Sequence, residues 1–114
     1  MNYETAWEFN TARFRIALEI EPEDMDPADS FEFQEDIEAV RNGQVEWFRA
    51  RVSVYLDDTR IAWDSLGGCA YKTVRDFYTS HRQHKEGDYF TDMVREAIRQ
   101  ARETLCNTPK LRCS

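Results

Sequence analysis

Apolar and polar residues alternate most regularly between Arg13 and Ile20. Phe14, Ile16, Leu18 and Ile20 fall on one side, and Arg13, Arg15, Ala17 and Glu19 on the other. A period of two is the signature of a half-buried strand. Pro22 and Pro27 then bar the ladder from continuing, so the segment from Glu21 to Ala28 reads as a loop. Asp29 and Glu32 have the three-residue spacing of a capping box, and Phe33, Ile37 and Val40 follow at helical intervals. Together with the stop at Gly43, this predicts a first helix over about residues 30–42.

A longer alternation runs from Val45 to Leu56. Phe48, Ala50, Val52, Val54 and Leu56 oppose Trp47, Arg49, Arg51, Ser53 and Tyr55. The turn residues Asp57-Asp58-Thr59-Arg60 predict a hairpin returning through Ile61–Leu66, with Gly67-Gly68 ending the sheet. The period then becomes helical. Tyr71, Val74, Phe77 and Tyr78 mark a second helix reaching about His81, and Phe90, Val94, Ala97, Ala101 and Leu105 mark a third from about Asp88 to Cys106, stopped by Pro109. The expected order is β-α-β-β-α-α. That is one α+β domain over residues 1–114, with three helices on one face of a three-stranded sheet, antiparallel or mixed.

Composition narrows the function classes. With 114 residues, 41% of them apolar and 13% aromatic, the chain has enough core formers for one modest domain. No run approaches the ~20 apolar residues that span a bilayer. The first residues lack the basic and apolar regions of an export signal, and the three cysteines are an odd number, so a reducing cytoplasm is the expected location. Charge is distributed unevenly. Residues 1–40 carry twelve acids and two bases, and Glu19–Glu38 carries ten acids with no Lys or Arg. Such a block repels phosphate backbones and attracts basic surfaces, so direct binding to duplex nucleic acid is not expected.

The candidate partner-binding residues are accordingly Glu21, Glu23, Asp24, Asp26, Asp29, Glu32, Glu35 and Asp36, whose carboxylates can imitate the phosphate charge that Arg and Lys recognise. The alternative for these acids is a solvated loop next to a helix N-terminus. A calcium loop does not fit: counted from Asp24, the position that requires Gly holds Asp29. Zinc fits no better, since Cys69, His81, His84, Cys106 and Cys113 lack paired-ligand spacing. No metal or cofactor is expected.

Two further readings remain open. Arg13, Arg15, Arg49 and Arg51, with Trp47 and Tyr55, would share the sheet face away from the helices, an arrangement able to stack single-stranded nucleic acid. The plainer outcome there is cross-strand pairing with carboxylates such as Glu19 or Glu46. Cys69, after Gly67-Gly68 and before a predicted helix, would gain nucleophilicity at a helix N-terminus, with His81 or the less constrained loop residue His84 as the candidate base. His81 is too far along the same helix, about 18 Å at 1.5 Å per residue. Nucleotide, hydrolase and metalloprotease motifs are absent from the sequence.

Three stretches, Glu21–Phe31, Leu66–Lys72 continuing to Ser80-His81-Arg82, and Asp88–Arg95, resemble small proteins carried on plasmids, prophages and other mobile elements of proteobacteria. The resemblance, with the size and acidity of the chain, implies an inhibitor of the anti-CRISPR or anti-restriction type. The expectation is a non-enzymatic protein that blocks a basic, nucleic-acid-binding surface of a host defence complex.

Overall fold

The alternating segment read as the first strand lies second in the sheet of the computed structural model, which describes residues 3–79 and 89–107. The elements are β1 (Glu4–Asn10), β2 (Arg15–Pro22), a 3-10 turn (Pro27–Asp29), α1 (Gln34–Arg41), β3 (Glu46–Leu56), β4 (Thr59–Tyr71), α2 (Val74–Thr79) and α3 (Tyr89–Asn107). The sheet runs β1-β2-β3-β4, with every neighbouring pair antiparallel. The α+β class stands, but the expected three strands become four and the order becomes β-β-α-β-β-α-α.

Each difference has a physical cause. In β1 only Trp7 and Phe9 alternate cleanly, because a register shift between Thr5 and Trp7 interrupts the period of two. The connection from β2 to β3 returns to the same end of the sheet, where Pro22 faces Phe48, so the pair is antiparallel and no crossover forms. Gly67-Gly68 does not end the sheet. It forms a bulge, with Leu66 opposite Ala50 and Cys69 opposite Phe48. Gly68 sits there at φ +67°, a conformation that favours glycine.

The expected helix over residues 30–42 splits into two pieces. The Asp26 carboxylate accepts the Ala28 N–H at 3.0 Å and starts the 3-10 turn at Pro27. The Asp29/Glu32 capping box does not form; α1 begins after Phe33, whose side chain makes no capping bond. At its end the expected stop is present, with Gly43 at φ +74° and the Gln44 N–H donated to the Ala39 carbonyl. The β3–β4 hairpin closes on Asp57 and Asp58, both at positive φ, as a two-residue turn of twist-compatible hand requires.

One face of the sheet carries the core. Ile16, Leu18, Phe48, Ala50, Val52, Val54 and Ala62 pack against Phe77 of α2 and against Phe90, Met93, Ala97, Ala101 and Leu105 of α3. Phe77 is central: its ring meets Phe48, Tyr71 and Phe90 at 5.3–6.0 Å between centroids, mostly edge to face. Truncating such a buried aromatic to alanine costs about 3–5 kcal/mol. No residue of α1 belongs to this core, although Ile37 is buried locally. Only α2 and α3 therefore cover the packed face as expected, and the acidic segment stands apart from it.

Candidate functional site

The loop after β2 is acidic, yet hydrogen bonds and ring contacts hold it to the end of the sheet. Glu23 turns inward. Its Oε2 accepts the Gly68 N–H at 2.9 Å and its Oε1 accepts the Met25 N–H at 3.1 Å. The Trp47 indole donates to the Met25 carbonyl at 3.0 Å, and the Phe31 ring lies against Trp47 at 5.6 Å between centroids. Further on, Arg41 at the end of α1 reaches back to Asp26 at 3.2 Å. The Ala28 N–H and Arg41 together hold the Asp26 carboxyl below the usual range. A stretch without any basic residue thus takes a fixed shape from backbone donors, one indole and a single arginine.

The eight acidic candidates divide by orientation. Glu21 is buried, with Arg49 at 3.6 Å, and Glu23 is the anchor just described, also 3.9 Å from Arg49. Asp26 is exposed but engaged. Asp24, Asp29, Glu32, Glu35 and Asp36 are exposed. The outward group is therefore smaller than the sequence list, and it carries one residue that the sequence placed wrongly. Phe33 fits the helical spacing of a core residue but caps α1 in an extended conformation and is 63% exposed. Glu32, Glu35 and Asp36, its neighbours in the sequence, are exposed as well. Met25 is exposed in the same segment.

The sheet face away from the helices is neutralised from within. Glu19, on β2, is buried and accepts hydrogen bonds from Ser53 Oγ and Tyr55 OH, and from Arg51 Nε at 3.0 Å. Burial raises the Glu19 carboxyl, but the bonds from Ser53, Tyr55 and Arg51 outweigh it, so the group stays below the usual carboxylate range. Arg51 also lies over the Tyr3 ring at 3.7 Å, and Arg15 over Tyr55 at 4.1 Å. Arg15 pairs with Glu8, and Arg49 with Glu21. Of the four arginines that suggested a nucleic-acid surface, only Arg13 has no carboxylate partner among the described residues. Glu46 serves elsewhere, accepting the Val74 N–H at the start of α2.

Cys69 lies within β4 rather than at a helix N-terminus. Burial, followed by the nearby Glu23 charge, pushes its thiol up to about 11, away from the reactive thiolate. Cys106 is exposed and free. His81, His84 and Cys113 lie outside the described residues. Among the described residues, no three His, Cys, Asp or Glu side chains are grouped to hold a metal ion, and no helix is long and apolar enough to cross a membrane.

The exposure of Phe33, which its helical spacing contradicts, and the Glu23–Gly68 contact are not evident from the residues' local pattern. The glycine pair was the available signal: a Gly-Gly inside a strand marks a bulge or a close backbone approach, and here it is both. In comparisons with family models, curated proteins and solved structures, none matches the chain.

Proposed function

We propose that this chain is a non-enzymatic binding protein whose acidic segment docks on a basic, nucleic-acid-handling protein and competes with nucleic acid for that surface. In this reading it is an inhibitor of a host defence complex, of the kind carried by mobile elements. The observation that carries it is the exposure of Asp24, Asp29, Glu32, Glu35 and Asp36, together with Phe33, on a segment tied to the sheet by Glu23 and Trp47. Preordering of the segment reduces the entropy lost on binding, and unpaired carboxylates accelerate encounter with a cationic surface. The internal pairing of Arg15, Arg49 and Arg51 favours this reading over direct nucleic-acid binding.

The test is affinity capture from a proteobacterial lysate, comparing the native chain with a variant carrying Asp24→Lys, Glu35→Lys and Asp36→Lys. The expected result is a basic protein retained at low salt, released by added polyanionic nucleic acid, and lost with the variant. Retention of the same protein by the charge-reversed variant would refute the proposal.

A further inference from the structure

We draw no further inference here: the strongest candidate, the cleft of about 650 Å³ at the end of the sheet between Ile20, Phe48 and Val74, is an apolar groove whose bordering Glu21 and Glu46 are already paired with Arg49 and bonded to the Val74 N–H, and nothing in the structure shows what covers it.

Discussion

Glu23 and Gly68, 45 residues apart in the chain, are joined by a 2.9 Å hydrogen bond from the glycine N–H to the carboxylate. The bulge at Gly68 turns that N–H out of the ladder, and a buried carboxylate takes it. A Cβ at Gly68 would lie 3.3 Å from Met25 Cε and from Ser30 Oγ, in a backbone conformation that already disfavours side chains. Glu23→Ala leaves the Gly68 donor unsatisfied, so it should lower stability by about 1–3 kcal/mol in urea denaturation. Gly68→Ala should do so through strain and crowding. In both variants protease susceptibility should rise first between Glu23 and Phe33. Cleavage confined to other regions would contradict the anchoring role.

Glu19 makes stability depend on pH. Its carboxyl lies below the ordinary value of 4.5 in the folded chain. The stabilisation is therefore fully present above that value and is lost as pH falls through the folded pKa, because the unfolded state then binds the proton more readily. Glu19→Gln should flatten this acid limb. Glu19→Ala, which leaves Arg51 and Ser53 without their acceptor, should cost about 3 kcal/mol at neutral pH. Denaturation midpoints measured from pH 3 to pH 7 decide the matter.

Cys69 should resist alkylation in the folded protein. With the thiol pushed up to about 11 and the side chain buried, the thiolate is scarce at pH 8, whereas Cys106 is exposed. Timed iodoacetamide labelling followed by peptide mass analysis should find Cys106 modified early, and Cys69 only after denaturation.

The hairpin turn offers a stabilising change. Asp57 and Asp58 both adopt positive φ, which aspartate tolerates less well than glycine. Asp58→Gly should raise stability by about 0.5 kcal/mol, since the relief of strain exceeds the entropy added to the unfolded chain. A lower thermal midpoint would count against this turn geometry.

The long alternations were legible in the sequence because the apolar side chains of one strand face enter the core, Ile16 and Leu18 in β2 and Phe48, Ala50, Val52 and Val54 in β3, although the other face of β2 is also buried at Ala17, Glu19 and Glu21. Elements shaped by tertiary contacts were not. β1 was hidden by its register shift, and the continuation of β4 by a glycine pair that serves as a turn signal in most contexts. Phe33 followed helical spacing but fell one residue before the helix, where spacing no longer sets direction. The acidity of the segment was plain from composition. Which of its carboxylates face outward depended on partners such as Gly68 and Arg49, far away in the chain.

The excursion between Pro22 and Glu46 leaves and rejoins the sheet at adjacent ends of two paired strands and adds nothing to the packed interior. Its surface can consequently be rewritten, provided the few tethering positions persist, without disturbing the body that folds beneath it.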